Sequence, residues 1–243
     1  MAKIFRKFRF ETIGAMISKK YIFYALGEIA LIVFGILIAL QIDNWNNDRQ
    51  LKTLELKYLK EMISNLRSDL TDIEYNIDFN VDKMKSNLVI ATQTRNKLPY
   101  YDSLNFHFSN LIGSTRFIPN TSSYDNFKAK GFEIIKHDSL RRLITYLYSV
   151  EYSHIMGFEF VDDHKYQYET LVPQVIENVK VNEMWKSAEP ISYQDLLKNI
   201  KFQNAIVSNI FYREYMISEY KEQKRIVLEV ISAIEKYVEE EGE

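Results

Sequence analysis

Few residues in this chain are spaced for chemistry. Glu151 and His154 form a Glu-x-x-His pair in a stretch of helical spacing, half of the ligand set that bundle-type di-iron proteins use. That chemistry needs a second pair on a facing helix, and His107, His137 and His164 each lack a glutamate three residues earlier. The unmatched pair therefore reads as polar surface. Asp162, Asp163 and His164 adjoin in sequence, but neighbours on a helix point in different directions. No glycine-rich phosphate loop, Gly-x-Ser-x-Gly or His-Glu-x-x-His occurs. The chain has no cysteine, which excludes a disulfide framework, a thiolate zinc site and a cysteine nucleophile. The expectation is a non-enzymatic protein with no cofactor and no metal.

The residue with most at stake is Glu28, which lies inside the apolar run YIFYALGEIALIVFGILIALQI, Tyr21 to Ile42. A carboxylate within a bilayer costs roughly 2.5 kcal/mol or more near the centre, so it needs a reason to be there. On a helix, Glu28, Ile32, Gly35 and Ala39 share one stripe. Gly35 and Ala39 make a small-xxx-small pair that lets a second helix approach closely. Two readings stand: an intramembrane interface containing Glu28, or a glutamate snorkelling to the headgroups beside Lys20.

The element that positions this stripe is a transmembrane helix. Its 22 residues at about 1.5 Å each span roughly 33 Å, enough for a hydrocarbon core of about 30 Å. Lys3, Arg6, Lys7, Arg9, Lys19 and Lys20 precede it against Glu11 alone, whereas the flank after it is balanced. The positive-inside rule then puts the N-terminus in the cytoplasm and residues 43–243 outside it, in the periplasm of an inner-membrane protein. Residues 1–20 interleave basic and apolar side chains. They read either as a basic amphipathic helix on the membrane surface or as a plain positive flank.

The motifs YALGEIALIVFGILIALQIDNWNN and SSYDNFKAKGFEIIKHDSLRRLITYLYSVEY resemble those of an uncharacterised family of Bacteroidota single-pass membrane proteins, a domain of unknown function. The resemblance covers about a quarter of the chain. It implies an inner-membrane helical protein and brings no activity.

Beyond the span the pattern predicts an all-α domain, with the transmembrane helix continuing into a long helix of a three- or four-helix up-down bundle. The scarcity of glycine and proline, 7 and 4 residues, agrees with few turns. Leu59, Ile63, Leu66, Leu70, Ile73, Ile77, Val81, Met84 and Leu88 recur at threes and fours, a coiled-coil-like seam with one stutter. The helix should stop near Lys97, before Pro99. Short helices are expected at 103–112 and 122–130, with Ser122 as N-cap and Gly131 after the C-terminus. Asp138 should cap a helix to about Thr170, with Leu140, Leu143, Ile144, Leu147, Val150 and Ile155 inward. Residues 174–187 stay ambiguous. Ser192 should cap a last helix to about Glu239, with Leu196, Ile200, Ile206, Ile210, Tyr215, Ile217, Ile226, Val230 and Ile234 inward.

Two surface features are open. Tyr146, Tyr148, Tyr152, Tyr166 and Tyr168 crowd one region, as half-buried packing or as a binding face. Arg141 and Arg142, with Lys128, Lys130 and Lys136, make a local basic patch. A net charge of -2 gives no general drive toward nucleic acid. The expected partners are the lipid bilayer and either a second copy or a larger membrane complex. An extracytoplasmic ligand sensor signalling through a partner is the alternative.

Overall fold

A computed structural model describes residues 19–242. The basic segment expected over 1–20 lies almost wholly outside them. The chain divides into two compact units, residues up to Leu54 and Glu55–Glu243. Helix α1, Lys19–Arg95, supplies residues to both.

In the first unit α1 carries an 18-residue window of mean hydropathy 2.3, none of it buried. It is long and apolar enough to cross a membrane.

In the second unit α1 ends where the sequence indicates. Lys97 adopts φ 51°, Lys97 N–H donates to Thr94 O, and Leu98 N–H donates to Gln93 O. This is the reciprocal closure of a Schellman motif, with lysine where glycine is usual. Short helices α2 (Leu104–Ser109) and α3 (Ser122–Lys130) follow, then a single 3-10 turn, Phe132–Ile134. Thr121, not Ser122, precedes α3, and Gly131 closes it at φ 96°. The next helix, α4, occupies residues 138–178. Its N-cap is His137, whose Nδ1 accepts from Leu140 N–H at 3.2 Å. Asp138 instead pairs with Arg141 at 2.6 Å.

Helix α4 runs past Pro173 to Asn178, beyond the expected stop near Thr170. Three π turns interrupt it: Leu147–Glu151, Phe158–Asp163 and Gln167–Leu171. The last sits directly before Pro173 and shifts the hydrogen-bond ladder where the proline lacks a donor. Of the segment 174–187 left open by sequence, the first residues complete α4, and the rest enters a two-stranded antiparallel hairpin, β1 (Val179–Glu183) and β2 (Ser187–Pro190). Ser192 caps α5, Tyr193–Leu196. The chain then breaks and restarts as α6, Ile200–Gly242, with Asn199 Oδ1 accepting Phe202 N–H at 3.1 Å.

The architecture is all-α apart from the hairpin, with three long helices around one core. Its directions differ from a simple up-down bundle. Asp69 meets Tyr152, and Asn80 meets the Arg213–Asp163 pair, so the two contact points advance together along α1 and α4. These helices are parallel, and α6 runs against both. The reason is residues 110–136, which return along α1. Thr115 reaches Asn76, Ile118 reaches Asp72, Asn120 reaches Asp69 and Lys136 reaches Glu55. An extended strap has no ladder partner, and its donors must be satisfied. Carboxylates do this: Phe117 N–H goes to Glu159 at 3.0 Å, Ile118 N–H to Asp72 at 2.9 Å and Asn120 N–H to Asp69 at 2.8 Å.

The core seam of α1 has no stutter. Leu59, Met62, Leu66, Asp69 and Ile73 are buried, and the same heptad rhythm continues through Asn76, Asn80, Lys83 and Asn87. The apolar residues Ile77, Val81 and Met84 lie one step aside and are half-buried, and Leu88 is 43% exposed. Val150, Ile200 and Tyr215, expected inside, are also exposed.

Candidate functional site

The buried polar residues of three helices meet in one network. On α4, Ile155, Glu159, Asp163, Gln167, Leu171 and Val175 are all buried at strict intervals of four. In an α-helix each such step overshoots a full turn by about 40°, so the stripe would wind around to the surface. The two later π turns take up the extra residues and keep Glu159, Asp163 and Gln167 facing α6.

Arg213 of α6 is at the centre. It donates to Asn80 Oδ1 at 2.7 Å and to Asp163 Oδ1, in an ion pair closed to solvent. Gln167 Nε2 donates to Asn209 Oδ1 at 2.7 Å and to Asp163 Oδ1 at 3.3 Å. Asn209 Nδ2 donates to Asn87 Oδ1 and Leu111 O, both at 3.2 Å. Desolvation lowers the Arg213 pKa to about 10, still charged at neutral pH. Toward α2, Lys83 Nζ donates to Asn110 Oδ1 at 3.0 Å and rests 3.6 Å from the centroid of the Trp185 ring. Burial, and then the charge of Arg213, lower Lys83 to about 8.

Farther along the bundle two carboxylates are buried under the strap. Glu159 accepts from Phe117 N–H and from the Tyr220 hydroxyl. Asp69 accepts from Asn120 N–H and, at 2.7 Å, from the Tyr152 hydroxyl. Desolvation raises Glu159 to about 7 and Asp69 to about 6, against their hydrogen bonds. Burial also raises Tyr152 and Tyr220, so both phenols stay protonated donors.

A half-open cavity of about 310 Å³ lies beside the network. Phe79, Gly113, Gln167, Val172, Met184 and Trp185 form most of its wall. Trp185 sits at the hairpin tip with φ 64°, and its carbonyl accepts from Asn110 Nδ2 at 3.0 Å. Gly113 has φ 139°, and a Cβ there would stand 3.0 Å from the Trp185 ring and 3.1 Å from Phe79.

The candidates from sequence fall elsewhere. His154 is exposed and pairs with Glu219 of α6 at 3.0 Å, while Glu151 interacts with Tyr146. Among the described residues no group of three or more His, Asp or Glu is placed to hold a metal ion. Asp162 points outward and Asp163 inward. The tyrosines divide: Tyr148 and Tyr152 are core residues, Tyr166 is half-buried and bonds Ala205 O at 2.5 Å, and Tyr146 and Tyr168 are exposed. In the basic patch, Arg141 is spent on Ile135 O and Asp138. Glu28, Ile32, Gly35 and Ala39 are all exposed, and a Cβ at Gly35 would meet nothing within 4 Å among the described residues.

Sequence reasoning missed Asn80, Lys83, Asn87, Gln167, Asn209 and Arg213. The signal present was phase: Asn76, Asn80, Lys83 and Asn87 continue the heptad of Leu59, Leu66 and Ile73.

A family described as a family of unknown function, DUF6090, matches residues 28–188, which takes in most of the apolar helix, the strap, α4 and the hairpin as far as the start of β2. No curated protein matches the chain, and no solved structure does.

Proposed function

This chain belongs to DUF6090, a family of unknown function, and we propose that it is a membrane-anchored, non-enzymatic assembly protein. Its apolar helix associates within the bilayer with another helix, from a second copy or from a larger membrane complex. The observation that carries this reading is Gly35. A glycine costs an α-helix roughly 1 kcal/mol relative to alanine, and among the described residues nothing comes close enough to Gly35 to require one. A neighbouring helix supplies the reason, with Ile32 and Ala39 flanking the contact and Glu28 bonded inside it. Ion pairs and hydrogen bonds within the helical unit serve to hold its own helices and strap together, which suits a scaffold. The lysine and arginine bias before the span supports a cytoplasmic N-terminus and a periplasmic helical unit.

The test is association of the full chain in native membranes, compared with Gly35→Leu. Wild type should run as an oligomer or a defined complex, and the variant should lose it. A monomeric wild type, or equal association of both, rejects the reading.

A further inference from the structure

The cavity beside Gln167 has the dimensions and chemistry of a small-molecule site. Its volume of about 310 Å³ reaches the range of about 300–1,000 Å³ typical of ligand pockets. Phe79 and Trp185 give it aromatic wall, and Val172 and Met184 aliphatic wall. Its form depends on two backbone conformations that are otherwise unfavourable. Trp185 holds φ 64°, rare for a bulky residue and costly unless its surroundings enforce it. Gly113 at φ 139° leaves the space that a side chain would fill. Asn110 fastens the arrangement, donating to Trp185 O and accepting from Lys83 Nζ.

Gln167 supplies the polar element. Its side chain belongs to the cavity wall and is 1% exposed. Both bonds of its amide nitrogen are spent on Asn209 and Asp163, while its carbonyl Oε1 is buried without a partner. A buried acceptor without a donor is unfavourable, so a molecule that provides the donor gains by it. Charge narrows the class. No carboxylate lines the cavity among the described residues, and the Lys83 ammonium lies on the Trp185 ring, so a cation is disfavoured. An anion would bring a second acceptor to Gln167 Oε1.

We propose that this cavity binds a neutral, largely apolar small molecule that donates one hydrogen bond to Gln167 Oε1 and packs between Phe79 and Trp185. The site adds to the assembly role and does not depend on it.

The chain has 2 tryptophans, so Trp45→Phe in the full-length protein leaves Trp185 as the sole indole reporter. Phenol, an apolar ring with one donor, is titrated into that protein in detergent while Trp185 emission and thermal unfolding are followed. Anisole, which lacks the donor, is titrated in parallel. The expected result is a saturable change in emission and a raised Tm with phenol, and binding of anisole weaker by about tenfold. Gln167→Met should remove the preference for phenol. Val172→Phe, which fills the cavity and leaves Gln167 in place, should abolish the response to both. Responses that do not saturate, that are equal for phenol and anisole, or that persist in Val172→Phe overturn the proposal. So does the absence of any response, which would leave a cavity for water alone.

Discussion

Arg213 and Asp163 form an ion pair from which solvent is excluded, their side chains 1% and 2% exposed. Fifty residues separate them in sequence. The pair joins α6 to α4, and the second guanidinium arm reaches Asn80 on α1, so one side chain fixes the register of all three long helices. A heptad core of apolar residues alone tolerates slippage along its length; a polar position within it does not.

Removing one charge from that pair leaves the other buried and unpaired. Arg213→Met should destabilise the helical unit by about 3–5 kcal/mol. The double variant Arg213→Met/Asp163→Leu should recover much of the loss, because it removes both buried charges. Urea unfolding of the full chain in detergent, read by helical circular dichroism, measures both. Equal stability of the single variant and wild type would refute the assignment.

The strap carboxylates set a pH dependence. Burial raises Glu159 to about 7 and Asp69 to about 6, above the ordinary values of 4.5 and 3.8. The folded state therefore holds protons that the unfolded state has released. The stability this linkage gives is complete below the ordinary values and is lost as pH rises through about 6 to 7. Relative to Glu159→Gln, wild type should lose on the order of 2–3 kcal/mol between pH 4.5 and 7.5. Unfolding free energies of both proteins across that window show it as a sloping difference; a flat difference contradicts it.

Lys97 holds a left-handed conformation at the end of α1. Glycine adopts it without the Cβ penalty, so Lys97→Gly should stabilise the protein by about 0.5–1 kcal/mol. A rise in Tm measures this, and a fall would show that the lysine side chain matters more than its backbone.

Gly113→Ala works in the opposite sense. Its new Cβ would crowd Trp185 and Phe79 at a φ that L-residues avoid. A loss of about 1–3 kcal/mol is expected, with a shift in Trp185 emission. Unchanged emission would mean that the hairpin does not rest on Gly113.

Much of the frame is legible in the sequence. Apolar run length marks the helix long enough to cross a membrane, Pro99 marks the end of α1, and Ser192 marks the start of α5, because each depends on local geometry. The polar core is not legible by composition. Asn76, Asn80, Lys83 and Asn87 occupy core positions, yet by residue type they belong on a surface, so the apolar pattern beside them, Ile77 to Leu88, misleads by one residue. The strict fours from Ile155 to Val175 are a usable sign of π turns, since no regular α-helix keeps that spacing on one face. The parallel course of α1 and α4 depends on the strap, whose carboxylate partners lie 42 to 81 residues away and leave no local trace.

The central claim is that one face of the apolar helix meets another helix. Because the chain contains no cysteine, single cysteines introduced at Ile32, Ala39 and Leu37 report on faces directly. Crosslinked in native membranes, Ile32→Cys and Ala39→Cys should give a discrete higher-mass product, and Leu37→Cys, on the opposite side of the helix, should not. Equal crosslinking at all three positions, or none at any, would contradict the account.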